Sequence, residues 1–180
     1  RQLLSTTNRD AVQNAVIEWN ILPKIPVKIS ELNPPEHVRV INMHATTKSE
    51  VTEQSLFGDL FAEPCKRLLI HDPYLFDREL IINRLGAYIS MAAQHNTLLE
   101  VIVHTKKASD SKEQDKAEQE LNRKYNGIIR FKHTADHDRF IEITRTNGKQ
   151  AKIIIGRGLD FIQPDGSIRS TYIVIQDPVM

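Results

Sequence analysis

The chain has 180 residues, 40% of them hydrophobic and 26% charged, which is typical of a globular domain with one core. Its 24 basic and 23 acidic residues leave a net charge of +1, which excludes a general attraction to nucleic acid or anionic membranes and leaves only local patches for such binding. The single cysteine, Cys65, excludes an internal disulfide and a CxxC metal site, and it indicates a reducing, intracellular and cytoplasmic setting.

Residues 1–35 are predicted to form an N-terminal helix and a linker. Val12, Val16 and Trp19 fall on one helical face, and Pro23 stops the helix. The chain does not begin with Met, so we expect a processed product or a fragment that follows an unknown upstream region. No apolar run approaches the ~20 residues that are needed to span a bilayer, and no signal peptide opens the chain.

Residues 36–180 alternate between short β-branched runs and amphipathic stretches. The predicted strands are HVRVINM, CKRLLIHDPYL, LLEVIVHT, IIRFKH, HDRFIEIT, KQAKIIIG and STYIVIQD. Asp77 is the expected N-cap of the first helix, and Asn126-Gly127 closes the second. The Asn-Gly at 147–148 predicts a two-residue hairpin turn. The order strand, helix, strand, helix, strand predicts a three-layer α/β domain with a mixed central β-sheet flanked by helices.

Two short motifs near the end of the chain carry the residue types that bind phosphate. His137 and Arg139 are two apart, so on a strand they would point to the same face. Arginine is a bidentate donor to phosphate that keeps its charge. Gly156 and Gly158, on either side of Arg157, would allow backbone N–H groups to approach an anion closely. The sequence therefore predicts that these five residues bind phosphate.

Three aspartates are candidates for orienting or structural roles. Asp72 follows a predicted strand, where its carboxylate is expected to cap the backbone of a turn. Asp138 and Asp160 could pair with Arg139 and Arg157, and in that case the two motifs would be structural.

Four histidines end or follow predicted strands and could converge at one edge of the sheet. They are His71, His104, His133 and His137. No carboxylate spacing accompanies them, so we predict neither a metal nor a cofactor.

The order of these stretches resembles the phospholipase-D-like C-terminal domain of MIT (microtubule-interacting and trafficking) proteins. The matching residues are Leu56-Phe57-Gly58, Asp72-Pro73-Tyr74, His137-Asp138-Arg139 and Gly156-Arg157-Gly158-Leu159-Asp160. The resemblance implies a phospholipase-D-like fold, a homodimer and the loss of catalysis. In eukaryotic relatives it implies binding to acidic phospholipids during membrane remodelling at the end of cell division.

The chain departs from the pattern of active phospholipases D. His137 holds the position of the nucleophile, but Arg139 replaces the lysine and the position of the aspartate falls on Thr144. Such a site needs two histidines, a nucleophile and an acid, and one copy of the motif could supply both only by two-fold pairing.

Three hypotheses follow. The favoured one is a non-catalytic domain that dimerises and recognises a phosphate-bearing partner at a membrane or elsewhere, with phospholipid favoured over nucleic acid. The second is an active phosphodiesterase, a nuclease or a phospholipase, that uses His137 across a dimer interface. The third is a purely structural scaffold.

Overall fold

The computed structural model describes residues 38–47, 49–109 and 111–177. These residues all belong to the second of two compact units, His37–Met180. The predicted helix in residues 1–35 lies outside the described residues.

The described residues form one seven-stranded mixed β-sheet with helices, as the sequence predicts for an α/β domain. The spatial order is β1-β7-β6-β5-β2-β3-β4. Strands β2, β3 and β4 run parallel to one another, and every other neighbouring pair is antiparallel. The strands are β1 (Val38–Met43), β2 (Cys65–His71), β3 (Glu100–Thr105), β4 (Ile129–His133), β5 (Phe140–Arg145), β6 (Gln150–Ile155) and β7 (Thr171–Gln176).

The sheet is accompanied by helical segments, of which those between β2 and β3 and between β3 and β4 connect parallel strands. They are α1 (Glu53–Phe57), α2 (Gly86–Ala93), which continues a π-helical segment Glu79–Leu85, and α3 (Lys112–Lys124), with 3₁₀ turns at Gly58–Phe61 and Leu159–Phe161. The predicted cap at Asp77 is confirmed, because its Oδ1 accepts a hydrogen bond of 2.8 Å from the N–H of Leu80. The predicted end of α3 is confirmed by positive φ angles at Asn126 and Gly127. Within the described part of the chain, no helix is both long and apolar enough to cross a membrane.

The core lies between the described helices and one face of the sheet. Leu68 and Ile70 of β2 pack there with Ile141 and Ile143 of β5, and Tyr88 of α2 is buried among them. Burying each such side chain contributes about 1.5–3 kcal/mol. The other face of the sheet carries the alternate side chains, which are half-buried or exposed at most positions. The core therefore fixes which side chains remain available for binding.

A buried ion pair fastens the end of β5 to the end of the described chain. The guanidinium of Arg145 donates two hydrogen bonds to the carboxylate of Asp177, at 2.8 and 2.7 Å, and a third to the carbonyl of Leu60 at 3.2 Å. Its side chain is 2% exposed. The hydrogen bonds to Asp177 raise the pKa of Arg145 further. Nothing in the sequence pattern indicated this pair.

Two local predictions are wrong. Strand β5 begins at Phe140, so His137 and Arg139 precede it and do not share a strand face. The reason is that β2 ends at His71, which pairs with Phe140, and residues before Phe140 have no β2 residue to pair with. The hairpin between β5 and β6 has a three-residue turn, with Gly148 at φ 83° and the N–H of Arg145 bonded to the carbonyl of Lys149. A type I turn followed by a left-handed glycine accounts for this length.

Candidate functional site

The ends of three strands enclose an open groove of about 490 Å³, called the arginine groove below. It lies where β2 ends, where β6 ends and where β7 begins, so side chains from distant motifs meet there. The groove is lined by Tyr74, Arg139, Gly156, Arg157, Asp160, Ser170, Thr171 and Tyr172. Of the five residues predicted to bind phosphate, Arg139, Gly156 and Arg157 line it.

Arg139 forms one wall of the arginine groove and is half-buried. Its Nη1 donates a hydrogen bond of 2.7 Å to the carbonyl of Gly156, and its guanidinium lies 4.7 Å from the centre of the Tyr74 ring. Its Nε is buried without a hydrogen-bond partner in the described residues. No ion pair within 4 Å joins Arg139 to a carboxylate among those residues, so the predicted pairing with Asp138 is not formed.

Arg157 is the exposed cation of the arginine groove, with 47% of its side chain accessible. Its Nε lies 4.0 Å from Oδ2 of Asp160, while Arg169 donates to the same oxygen at 2.5 Å. The predicted pairing of Asp160 with Arg157 is thus at its distance limit, and Arg169 is the closer partner. Asp160 therefore leaves most of the Arg157 guanidinium accessible to a ligand.

The glycines serve the packing of the loop, and their N–H groups are not directed at an anion. Each of these N–H groups already has a partner. The N–H of Gly156 donates to the carbonyl of Tyr172 at 3.0 Å, and that of Arg157 donates to Oγ1 of Thr171 at 3.0 Å. The N–H of Gly158 donates to the carbonyl of Ile155 at 3.1 Å, and that of Leu159 donates to Oδ2 of Asp72 at 2.7 Å. A Cβ at Gly158, where φ is 89°, would lie 2.5 Å from that Asp72 oxygen. The expectation that Gly156 and Gly158 present N–H groups to phosphate is therefore wrong.

Asp72 joins the end of β2 to the loop after β6. Its Oδ1 accepts from the N–H of Tyr74 at 3.0 Å, as predicted for a turn cap, and its Oδ2 accepts from Leu159. Burial raises the pKa of Asp72, while these two hydrogen bonds and the charge of Arg139 act in the opposite direction. Asp72 thereby links the turn at Tyr74 to the loop at Leu159.

His137 lies beside Tyr74 in an exposed cluster. Lys106 Nζ lies 3.4 Å from its Nδ1 and 3.3 Å from its Nε2, and the Tyr74 hydroxyl lies 3.4 Å from Nδ1. Lys106 also lies 5.6 Å from the centre of the Tyr74 ring. The sequence interpretation missed Lys106 and Tyr74 as members of the site. The available signal was that Lys106 follows β3 directly, at the edge where β2 ends.

The four histidines separate into different environments. His71 and His104 are neighbours, with ring centres 5.2 Å apart, whereas Nε2 of His133 lies 3.2 Å from Glu118 and His137 lies beside Lys106. The hypothesis that all four converge is wrong, because α3 provides a separate partner for His133. The described residues contain no group of three or more His, Cys, Asp or Glu side chains that could hold a metal ion.

The position of the phospholipase D aspartate is occupied by a residue without a charge. Thr144, at the position of the phospholipase D aspartate, lies four residues into β5 beyond Phe140, and its Oγ1 accepts only a long contact of 3.5 Å from Gln150. It cannot orient an imidazolium. Arg139 and Arg157 place two guanidinium groups in the groove, and a guanidinium can bind phosphate oxygens without giving up a proton.

Comparisons with known proteins found one matching family model and several similar solved structures. The family model described as a phospholipase D-like domain at the C-terminus of MIT matches residues 51–176. No curated protein matches the sequence. Among solved structures, a mutant of yeast tyrosyl-DNA phosphodiesterase 1 is 14% identical and covers 77% of this chain and 31% of its own, with a TM-score of 0.48.

A second solved structure is phosphatidylserine synthase from Haemophilus influenzae Rd KW20. It is 13% identical and covers 81% of this chain and 36% of its own, with a TM-score of 0.46. The chain thus spans about a third of the length of each of these two structures.

Proposed function

Because the chain belongs to the family of phospholipase D-like domains at the C-terminus of MIT, we propose that it is a non-catalytic domain that binds a phosphate-bearing ligand in the arginine groove. The ligand is the phosphodiester of an acidic phospholipid or of another molecule with the same group. The domain acts as a homodimer, inside the cell and peripherally where its partner lies in a membrane.

The observation that carries this proposal is that Arg139 and Arg157 line one open groove together. A guanidinium has five N–H donors, and the recorded hydrogen bond of Arg139 to Gly156 uses one of them. Asp160 divides its charge between Arg157 and Arg169. Two such cations suit the several oxygens of a phosphodiester, and His137 and Lys106 add positive or donor groups beyond Tyr74.

We infer the absence of catalysis from Arg139 and from the loop after β6, which do not suit the chemistry of cleavage. A histidine alone can attack phosphorus, but the leaving alkoxide needs an acid, and the developing charge needs oriented donors. Arg139 holds its proton at neutral pH, and the loop N–H groups that could have formed an anion hole are already bonded. The groove is suited to holding phosphate in its ground state.

The test combines turnover and binding on the same preparations. We expect no hydrolysis of bis-(p-nitrophenyl) phosphate, and we expect binding to anionic vesicles or oligonucleotides that falls about tenfold or more in Arg139→Ala and in Arg157→Ala. Binding should weaken as salt rises. Arg130→Ala serves as a matched control, because Arg130 is an exposed arginine on edge strand β4.

Two outcomes would contradict this proposal. Turnover that His137→Ala abolishes would establish the active phosphodiesterase instead. Binding unchanged by both groove substitutions would favour a structural scaffold.

The homodimer has its own test. An exposed apolar side chain on the sheet face opposite the described helices, Val40 at 57%, is consistent with a contact between copies. We expect light scattering at micromolar concentration to give twice the 20.6 kDa of one chain. A single 20.6 kDa species would remove the dimer from the proposal without affecting the groove.

A further inference from the structure

We propose that the arginine groove takes single-stranded nucleic acid, with a phosphate on Arg139 and Arg157 and a base stacked on the ring of Tyr172. This inference rests on the proposed phosphate-binding function and assigns its ligand class. It starts from Tyr172, whose position in the groove phosphate binding alone does not require.

The Tyr172 ring is fixed in place but accessible. A Cβ built on Gly156 would lie 2.5 Å from Cε1 of Tyr172 and 2.8 Å from Cδ1 and Cζ, so the ring lies directly against the backbone of Gly156. The same side chain is 54% exposed. One side of the ring is therefore supported by the loop, and much of the remainder faces solvent. A rigid aromatic surface of this kind stacks bases at little cost in side-chain entropy.

The two arginines and the ring of Tyr172 line the same groove. Arg157 lies next to Tyr172, because the N–H of Arg157 donates a hydrogen bond of 3.0 Å to Oγ1 of Thr171, which directly precedes Tyr172 in the chain. Both side chains line the arginine groove, and Tyr74, with Arg139 above its ring, lines it as well. An aromatic surface beside guanidinium groups is the combination that binds the backbone and bases of a single strand.

The aromatic ring, rather than the charge, favours nucleic acid over a lipid surface. Attraction to an anionic membrane or to a nucleic-acid backbone grows with an excess of clustered Lys and Arg, but the chain has a net charge of +1 and Asp160 neutralises part of the groove. Stacking acts at short range and does not need such an excess. The volume of about 490 Å³ is within the range of small-ligand sites and accommodates a nucleotide unit.

The experiment measures fluorescence anisotropy of a labelled 12-mer of deoxythymidine, an abasic 12-mer with the same phosphates and a duplex of the same length. Vesicles of phosphatidylserine and phosphatidylcholine form the lipid arm. We expect Tyr172→Ala to weaken binding of the single strand about tenfold or more and to leave the abasic oligomer within about twofold. Tyr172→Phe should bind as the wild type does, because it retains the ring.

Arg157→Ala should weaken the single strand and the abasic oligomer alike, and it should reduce the salt dependence by about one phosphate contact. Leu99→Ala is the matched control, since Leu99 is also an exposed apolar residue, 66% accessible, and does not line the groove. The melting temperature of each variant separates lost stacking from lost folding.

The outcomes distinguish the two proposals. Equal losses by Tyr172→Ala on the base-bearing and abasic oligomers, or binding of vesicles but not of the single strand, would overturn the nucleic-acid assignment and leave phosphate binding intact. Failure of every phosphate-bearing probe to bind would overturn both.

Discussion

Arg145 and the pair Arg139 and Arg157 show two uses of the same side chain in one sheet. Arg145 is 2% exposed and donates to Asp177 and to the carbonyl of Leu60, so the protein itself uses its charge. Arg139 and Arg157 lie at the other end of β5 and β6, where the strands stop and the groove opens. Burial and a carboxylate held by two hydrogen bonds therefore mark a structural arginine, whereas a shared or missing carboxylate marks one available to a ligand.

The largest expected effect comes from breaking the buried pair. We expect Asp177→Ala to lower the free energy of unfolding by about 3–5 kcal/mol, because it removes the carboxylate that is hydrogen-bonded to the buried Arg145 and leaves Glu63, 3.7 Å from Nε, as a more distant partner. Arg157→Ala should stay within about 0.5 kcal/mol, because Arg157 is exposed. Urea unfolding followed by circular dichroism measures both. The double variant Arg145→Met/Asp177→Leu should be more stable than Asp177→Ala alone. If Asp177→Ala, Arg157→Ala and the double variant lost equal stability, the buried and the exposed arginines would not differ in their structural role.

An intermediate effect is expected at Asp72, which supports the groove from a buried position. Asp72→Ala leaves the N–H groups of Tyr74 and Leu159 without their acceptor and should cost about 1–3 kcal/mol in urea unfolding. Asp72→Asn keeps one carbonyl acceptor and should cost less. If Asp72→Ala unfolded at the wild-type urea concentration, the groove would not depend on this link, and its arginines would be positioned by other contacts.

A smaller effect is expected from pH, since arginine keeps its charge while histidine does not. Burial lowers the pKa of His104 from its ordinary value of 6.5, the charges of His71 and Lys132 lower it further, and Asp136 opposes them. As pH falls below 6.5, the unfolded chain takes up a proton before the folded chain does. The stability present above pH 6.5 is therefore lost progressively as pH falls toward the lowered value.

Thermal unfolding between pH 7.5 and pH 5.5 measures this dependence. His104→Gln should flatten the decrease in melting temperature. An unchanged slope in that variant would assign the pH dependence to other groups.

The smallest effect is expected from removing the residues before Val38. Both arginine environments are built from residues after His37, so a chain that starts at Val38 should keep its near-UV circular dichroism and its anion binding. Loss of the near-UV signal, as in a molten state, would show that the domain boundary lies elsewhere. It would also show that residues before Val38 contribute to the two arginine environments.

The sequence predicted the parts of the fold that depend on local patterns. The strand and helix order, the Asp77 cap and the end of α3 follow from periodicity and capping chemistry, which act over a few residues. The start of β5 could not be predicted, because it depends on where β2 ends some seventy residues earlier. The Arg145–Asp177 pair is likewise set by tertiary contacts, as the two residues are separated by 32 positions.

The sequence singled out the two arginines and Asp72, which meet at the candidate site, but not how the fold brings them together. Gly156 and Gly158 were predicted to present N–H groups to phosphate, whereas the structure shows that the Tyr172 ring and the Asp72 carboxylate occupy the space of a side chain at these positions. Lys106 and Tyr74 joined His137 only once β2, β3 and β5 were side by side. Motifs thus identified the charged residues, and the fold determined which of them meet.

The π-helical segment Glu79–Leu85 has a consequence for the comparison of related sequences. A π turn holds one residue more than an α turn, so the insertion of a single residue into an α-helix produces such a segment. A relative with one residue fewer between positions 79 and 85 could therefore form a continuous α-helix while keeping Tyr88 and Ile89 directed at the core. Alignments of this family should accept a one-residue gap in that helix, where gaps are ordinarily penalised most heavily.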